Sequence, residues 1–202
     1  MDSRLEPPFL LSKPARDEDE YYAQDEDGPW QLLDGQLVMS PASKRHEDLR
    51  DFLASLVRLV LEQRGGGVIV GAHYPMRLDP RWSPEPDLMV IADASLQRMT
   101  DKYLDGPADL VVEIASDGDP RFDQRVKLPR YVQAGIPEIW MISPQVQSIR
   151  VVRPPAGEDL LLRDGWLHST VVPALSVDVE WLWQHPLPPT IACLRTILGD
   201  NL

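Results

Sequence analysis

The sequence predicts a mixed α/β domain, in which helices flank a central mixed β-sheet and an antiparallel portion is added at the C-terminal end. Three observations support this prediction. Two segments, 44–64 and 119–135, carry helical apolar spacing or helix-start signals. Short apolar runs around them are typical of strands covered on both faces. Turn signals then divide the last third of the chain into alternating segments, an order expected of helices packed against a mixed sheet.

The composition is that of a chain that buries a core. Of its 202 residues, 43% are hydrophobic and 26% are charged, which is usual for globular proteins. The single cysteine, Cys193, excludes an intramolecular disulfide and a cysteine-based metal cluster. The sequence shows neither a signal-peptide pattern nor an apolar run of the ~20 residues that a membrane span needs. We therefore expect a cytoplasmic protein with no membrane partner.

The negative charge is concentrated near the N-terminus. The formal net charge is −12, and half of it comes from residues 1–27. Acidity argues against binding to duplex DNA, which relies on Lys and Arg contacts to phosphates, but the rest of the chain is only mildly acidic. We expect 1–15 to be an extended or disordered lead-in and 16–202 to be a single domain. We also expect 1–27 to be dispensable for folding and to repel nucleic acid.

Local signals define the elements of the first part of the chain. The acidic segment 17–26 is expected to form a short helix, and Asp34-Gly35 between two apolar runs predicts a β-hairpin. Ser43 is a typical N-cap for the helix over 44–64, whose leucines recur at helical offsets. Gly65 is expected to end this helix.

The remainder of the chain alternates between strands and helices. Strands are expected over 68–76, 87–91, 108–115 and 138–142. Asp119 and Pro120 mark the start of a helix that runs to Gly135. Antiparallel strands over 147–153 and 159–172, around turns at 154–157 and at Asp164-Gly165, and a short helix over 179–183 complete the predicted domain.

Two carboxylates lie at apolar strands. Asp87 begins the run 87–91, and Glu113 interrupts the run 108–115 near its end. A carboxylate beside a buried sheet is costly unless a cation or hydrogen bonds compensate for it. Each residue alone is also compatible with a simpler role, in which Asp87 bonds a turn and Glu113 reaches solvent at the strand end.

Three polar residues share one face of the helix that follows. Asp123, Lys127 and Tyr131 are spaced four residues apart, so their side chains lie on one side. This face either turns Lys127 toward the two carboxylates or forms a solvent-exposed Asp123–Lys127 pair worth ~0.3–0.5 kcal/mol. The spacing alone leaves both interpretations open.

The order of these motifs resembles the Uma family of restriction endonucleases, within the PD-(D/E)XK nuclease superfamily. The resemblance extends over about residues 17–182, and its last segment is the most specific. The matching motifs are Asp34-Gly35-Gln36-Leu37, Ser40-Pro41, His46, Pro86-Asp87-Leu88, Val112-Glu113-Ile114-Ala115-Ser116, and Asp123…Lys127-Leu128-Pro129-Arg130-Tyr131…Gly135-Ile136-Pro137-Glu138-Ile139-Trp140.

The resemblance implies a restriction-endonuclease-like core and metal-dependent hydrolysis of phosphodiesters. Asp87 and Glu113 match the two acids, which would bind Mg²⁺ or Mn²⁺ together with a strand carbonyl beside Glu113. Lys127 matches a catalytic lysine that has moved onto the helix, because Ala115 occupies its usual position. Its implied role is to orient or deprotonate the attacking water, with Asp123 and Tyr131 holding it in place.

The sequence departs from the family pattern at two places. Gln36 stands where the family has a glutamate, so a supporting carboxylate is replaced by a neutral amide. The loop 116–119, after Glu113, also lacks the usual Ser-Pro start. His46 matches a family histidine and is expected to support the site as a capping residue, a phosphate contact or a ligand.

The function expected from these residues is a Mg²⁺-dependent endonuclease with DNA as its substrate, with a homodimer as one expected assembly. Two alternatives stay open. One is a non-catalytic interaction or dimer module with the same fold, which Gln36 and the acidity favour. The other is a metal-dependent phosphohydrolase that acts on RNA or nucleotides.

Overall fold

The structure of the chain is a computed structural model. It describes residues 11–13, 18–23, 30–39, 42–116 and 121–199. The Ser40-Pro41 motif and most of the loop after Glu113 therefore lie outside the described residues.

A small antiparallel sheet and a short helix form the N-terminal part. The elements are β1 (Leu11–Lys13), α1 (Glu18–Ala23), β2 (Gln31–Leu33) and β3 (Gln36–Met39). The strands lie in the order β1-β3-β2. Asp34 and Gly35 link β2 to β3 with φ angles of 51° and 73°, the left-handed backbone that a two-residue hairpin turn of this type requires. The predicted hairpin is confirmed.

A six-stranded mixed sheet forms the centre of the domain. The elements up to this sheet's last strand are α2 (Lys44–Arg64), β4 (Gly67–Gly71), β5 (Met76–Arg77), β6 (Leu88–Ala92), β7 (Leu104–Asp105), β8 (Leu110–Ile114), α3 (Phe122–Gln133), β9 (Glu138–Ser143), β10 (Ser148–Arg153) and β11 (Glu158–Leu162). The strand order is β11-β10-β9-β8-β6-β4. β8 and β9 are parallel, and the other neighbouring strands are antiparallel.

The C-terminal part adds a separate strand pair and a helix. Its elements are β12 (Trp166–His168), β13 (Ser176–Asp178), a 3-10 helix over Val179–Trp183, and α4 (Thr190–Leu198). β12 pairs with β13 rather than extending the central sheet. The described residues include no helix long and apolar enough to cross a membrane.

The two faces of the central sheet are covered by different helices. On one face, Leu53 and Leu56 of α2 belong to the same buried cluster as Val112 of β8. On the other, Leu128 of α3 packs in a second cluster with Val111. Because side chains alternate along a strand, Glu113 lies on the face that α3 covers. The predicted mixed α/β fold is confirmed.

The helix predicted over 44–64 has the bounds of α2. Ser43 caps it by accepting a hydrogen bond from the backbone N–H of His46 at 3.3 Å, and Gly65 follows its last residue with a φ of 72°. The short helices expected within 17–26 and over 179–183 also form. These elements carry their own start and stop signals, so local sequence is sufficient to place them.

Three predicted elements differ from the structure. The strand expected over 68–76 is divided into β4 and β5, because His73 adopts a φ of 69° and turns the chain. The strands expected on either side of Asp164-Gly165 form as β11 and β12, but they do not pair with each other, since β11 pairs with β10 and β12 with β13. The α3 helix runs over Phe122–Gln133 rather than to Gly135, and its expected start at Asp119-Pro120 lies outside the described residues.

The α1 helix is packed against the domain, and its contacts weigh against the expectation that 1–27 is dispensable for folding, which stays a prediction. Glu18 forms a two-point ion pair with Arg77, at 2.8 and 3.0 Å. Tyr21 is buried in a cluster with Leu32 and Leu37. Deleting 1–27 would remove these contacts. Of the expected lead-in 1–15, the structure describes Leu11–Lys13, which pairs with β3.

Candidate active site

The register of β6 and β8 brings Asp87 and Glu113 together. Leu88 is paired with Val112 in this antiparallel ladder, so Asp87, one residue earlier, falls opposite Glu113, one residue later. Directly opposed residues lie on the same face of a sheet. The Oδ2 atom of Asp87 also accepts a hydrogen bond from the backbone N–H of Ile114 at 2.6 Å. The two strands therefore position both carboxylates on the α3 face.

The α3 helix places a lysine ammonium directly on Glu113. The Nζ atom of Lys127 lies 3.0 Å from both carboxylate oxygens of Glu113 and 3.1 Å from Oδ1 of Asp123. Lys127 is only 3% exposed and Glu113 only 2%. The hydroxyl of Tyr131 donates to Oε1 of Glu113 at 2.5 Å. These contacts rule out the solvent-exposed Asp123–Lys127 pair.

His46 reaches the cluster from the first turn of α2. Its Nε2 atom lies 3.0 Å from Oδ1 of Asp87, and its Nδ1 atom lies 3.1 Å from Oε1 of Glu47. The ring is almost completely buried. His46 is therefore a partner of Asp87.

Gln36 is not joined to this cluster. It is half-buried at the start of β3 and pairs with Leu33 in the hairpin. Within the described ranges, no hydrogen bond or ion pair connects it to Asp87, Glu113 or Lys127. Gln36 is thus held in the hairpin and makes no direct hydrogen bond to the carboxylates within the described residues.

Glu85 is an acid of this region that the sequence interpretation missed. Its Oε1 atom accepts a hydrogen bond from the hydroxyl of Tyr21 at 2.8 Å, and its backbone N–H donates to the side chain of Gln31 at 3.4 Å. Glu85 stands two residues before Asp87, which in an extended segment directs both side chains to one side. That spacing is the signal that would have identified it.

Burial and mutual repulsion raise the pKa values of the acids. Burial, together with repulsion from Asp123 and Asp87, raises the pKa of Glu113 to about 8. Lys127 and Tyr131 oppose this rise. Burial also raises the pKa of Asp123. Burial and the hydrogen-bonded Glu113 raise that of Tyr131, which stays protonated. The cluster holds more negative charge than its buried surroundings favour.

The same carboxylates keep Lys127 and His46 cationic. Burial alone would lower the pKa of Lys127, but attraction to Asp123, Glu113 and Asp87 outweighs it and raises that pKa. Burial would likewise lower the pKa of His46, whereas the contacts to Asp87 and Glu47 raise it to about 9. Both side chains carry a positive charge at neutral pH.

The pKa of Glu85 lies close to neutral pH. Burial raises its pKa to about 7, while the hydrogen bond from Tyr21 and the nearby Lys127 ammonium oppose the rise. The influence of Lys127 indicates that Glu85 lies within electrostatic reach of the cluster.

The carboxylates have the chemistry that a hard divalent ion requires. Mg²⁺ and Mn²⁺ prefer carboxylate oxygens, and Mg²⁺ often takes one or two carboxylates and keeps several waters. Asp87 accepts two hydrogen bonds and Glu113 three, and a carboxylate offers about four lone-pair positions. Within the part of the chain that the structure describes, no group of three or more His, Cys, Asp or Glu side chains is arranged to hold a metal ion. The residues therefore fit a two-carboxylate site.

Comparisons with known proteins show the family and the fold of the chain. Residues 18–182 match the family described as "Uma2: Putative restriction endonuclease". A solved structure, "a putative nuclease belonging to DUF820" from Anabaena variabilis, is similar with a TM-score of 0.70 and 18% sequence identity. The match covers 82% of this chain and 96% of that chain. At this identity the likeness shows a shared fold. No match was found among curated proteins. Because the family match extends over most of the sequence, the chain belongs to the Uma2 family of restriction-endonuclease-like proteins.

Proposed function

We propose that this protein is a metal-dependent endonuclease that hydrolyses phosphodiester bonds of DNA. The observation that supports it most is the buried Lys127 ammonium, held on Glu113 and Asp123 beside the paired Asp87. A buried lysine among three acids costs desolvation energy and is not needed for a stable core. Such groups of perturbed charges are typical of active sites.

Asp87 and Glu113 are the residues that would hold the ion. A bound Mg²⁺ or Mn²⁺ supplies a Lewis acid and a water of lowered pKa. Both acids have an oxygen lone pair that no hydrogen bond uses. Positive charge would also relieve the repulsion that raises the pKa of Glu113.

Lys127 acts in this proposal as a fixed positive charge. An ammonium whose pKa is raised by three acids does not accept a proton at neutral pH, so its expected role is charge stabilisation and orientation of water rather than deprotonation. A preorganised cation in a buried site stabilises the negative charge that develops on a reacting phosphate. Asp123 and Tyr131 fix Lys127 and Glu113 relative to each other.

DNA is proposed as the substrate because of the family description and the nuclease title of the similar structure. A homodimer is part of the proposal, since two copies would present one site to each strand of a duplex. RNA or nucleotides as substrates are an outcome of the test below.

A second candidate function is a non-catalytic interaction module with the same fold. The observation that favours it is that Glu113 already accepts three hydrogen bonds, two from Lys127 and one from Tyr131. Within the described residues, no third acid joins Asp87 and Glu113 in a metal-binding group. A module of this kind would keep the fold and bind neither metal nor nucleic acid.

The test is cleavage of plasmid DNA, single-stranded DNA and RNA by the purified full chain, with Mg²⁺ or Mn²⁺ and with EDTA. We expect metal-dependent cleavage of DNA that is lost in Asp87→Ala and Glu113→Gln. Asp159→Asn is the matched control, because Asp159 is a half-exposed acid paired with Arg150 on the edge of the sheet. Cleavage restricted to RNA would support the phosphohydrolase alternative. No cleavage and no metal binding by the wild type would support the non-catalytic module.

A further inference from the structure

We propose that three residues at the start of α2, namely His46, Glu47 and Arg50, form a clamp that positions the Asp87 carboxylate for its role in the active site. We call them the His46 clamp. The inference rests on the proposed function, because Asp87 has a reactive role only there. It assigns to the start of α2 a role in the active site beyond packing.

The clamp is a continuous chain of charged contacts. The guanidinium of Arg50 lies 2.6 Å from Oε2 of Glu47, and Oε1 of Glu47 lies 3.1 Å from Nδ1 of His46. The Nε2 atom of His46 lies 3.0 Å from Oδ1 of Asp87. His46 is the most buried member of the clamp, with a side chain only 9% exposed, whereas the side chains of Arg50 and Glu47 are 24% and 39% exposed. The clamp runs from the surface to the carboxylate cluster.

The two oxygens of Asp87 are held by two different elements. His46 of α2 contacts Oδ1, and the backbone N–H of Ile114 in β8 donates to Oδ2. A carboxylate held at both oxygens cannot rotate freely, so its remaining lone pairs point in fixed directions. This is the arrangement expected of a partner that orients a ligand or catalytic carboxylate.

The same geometry decides how His46 acts. Both ring nitrogens of His46 are already engaged by carboxylate oxygens, Nδ1 by Glu47 and Nε2 by Asp87. His46 is therefore a positioning residue and not a metal ligand. Glu47 has a matching role, since its carboxylate faces the far side of the ring.

Ser43 sets the position of the clamp at the start of α2. Its side chain accepts from the N–H of His46, and its carbonyl accepts from the N–H of Glu47 at 3.1 Å. The side chain of Glu47 is left to contact His46 rather than returning to the cap. The first turn of the helix thus places His46 in reach of Asp87.

The test compares metal binding in four full-length variants by calorimetry with Mn²⁺ alone. His46→Ala should weaken binding by about 10–100-fold, the range for losing a partner that orients a ligand. His46→Gln should lose less, because an amide N–H still reaches Asp87, and Glu47→Gln should also lose less than His46→Ala. His168→Gln is the control, since His168 is exposed and bonds Ser176 in the C-terminal part. A folded His46→Ala protein with wild-type Mn²⁺ affinity would overturn the inference.

A structural measurement keeps the inference testable if the proposed function fails. Should the wild type bind no Mn²⁺, the metal proposal is wrong, and crystal structures of wild type and His46→Ala then decide the positioning role. We expect Asp87 to leave its contact with Ile114 when the clamp is removed. An Asp87 carboxylate that keeps its wild-type position in the variant would contradict the inference.

Discussion

Replacing Lys127 with methionine tests whether Lys127 belongs to a buried charge cluster or to a surface ion pair, because the two arrangements predict different losses of stability. Methionine keeps the length of the side chain and removes its charge, which leaves Glu113, only 2% exposed, without its cationic partner. Removing one partner of a buried ion pair typically costs ~3–5 kcal/mol in the free energy of unfolding. For a chain of this size that corresponds to a fall in Tm of roughly 6–20 °C. A surface pair would cost less than ~1 kcal/mol.

The loss in the free energy of unfolding caused by Lys127→Met should depend on pH. Burial raises the pKa of Glu113 to about 8 in the wild type, and the Lys127 ammonium keeps it from rising more. Removing Lys127 therefore raises that pKa further. A higher folded-state pKa in the variant means that it loses stability relative to the wild type as pH rises above about 8. The penalty is therefore expected to grow from about pH 8 toward the raised pKa of the variant, so it is larger at pH 9 than at pH 6, where Glu113 carries a proton in both proteins.

The assay is urea unfolding of wild type and Lys127→Met at both pH values. The control is Lys44→Met, because Lys44 forms a pair with Asp48 at the same i, i+4 spacing while its side chain is 86% exposed. This control should lose less than ~0.5 kcal/mol. The double variant Lys127→Met/Glu113→Gln should recover much of the loss, since the buried acid is then also neutral. A loss below ~1 kcal/mol at pH 9 in Lys127→Met would refute the reasoning.

Three further predictions follow from other contacts. Gln36→Glu should leave Mn²⁺ affinity unchanged in calorimetry, because Gln36 is not joined to the carboxylates; tighter binding would show that position 36 belongs to the site. The wild type should be more stable than His46→Gln by its full margin below pH 6.5, and this margin should fall as pH rises through about 9, since the folded-state pKa of His46 is raised. A difference in thermal stability between the two proteins that does not change with pH would contradict this. Tyr21→Phe should cost ~1–3 kcal/mol by leaving the mostly buried Glu85 short of a hydrogen bond. Tyr74→Phe should cost less in the same urea assay, because the hydroxyl of Tyr74 makes only a solvent-exposed bond to the backbone of Thr100; equal losses would count against a special role for the contact between Tyr21 and Glu85.

Local sequence patterns were sufficient to predict those features whose determining residues lie close together in the sequence. The bounds of α2 follow from Ser43 and Gly65, which are its cap and its stop. The shared face of Asp123, Lys127 and Tyr131 follows from helical spacing, and the structure confirms that these residues lie together.

The other features of the fold and the site depend on contacts between residues far apart in the sequence, which no local pattern contains. Spacing could not decide between a surface and a buried Lys127, because the choice depends on how α3 packs on β8. Tyr21 and Glu85 are 64 residues apart, so the position of α1 and the role of Glu85 emerge only from tertiary structure. The separation of β12 from the sheet likewise reflects its pairing with β13.

Calorimetric titration of Mn²⁺ into wild type and Asp87→Ala tests the central claim most directly, namely that Asp87 and Glu113 form one metal site beside Lys127. The wild type should bind one ion per chain at or below millimolar concentration, and the variant should lose this binding, because one of two ligand carboxylates is gone. Asp159→Asn should bind as the wild type does. Absence of binding by the wild type at millimolar Mn²⁺, or equal binding by Asp87→Ala, would contradict the claim.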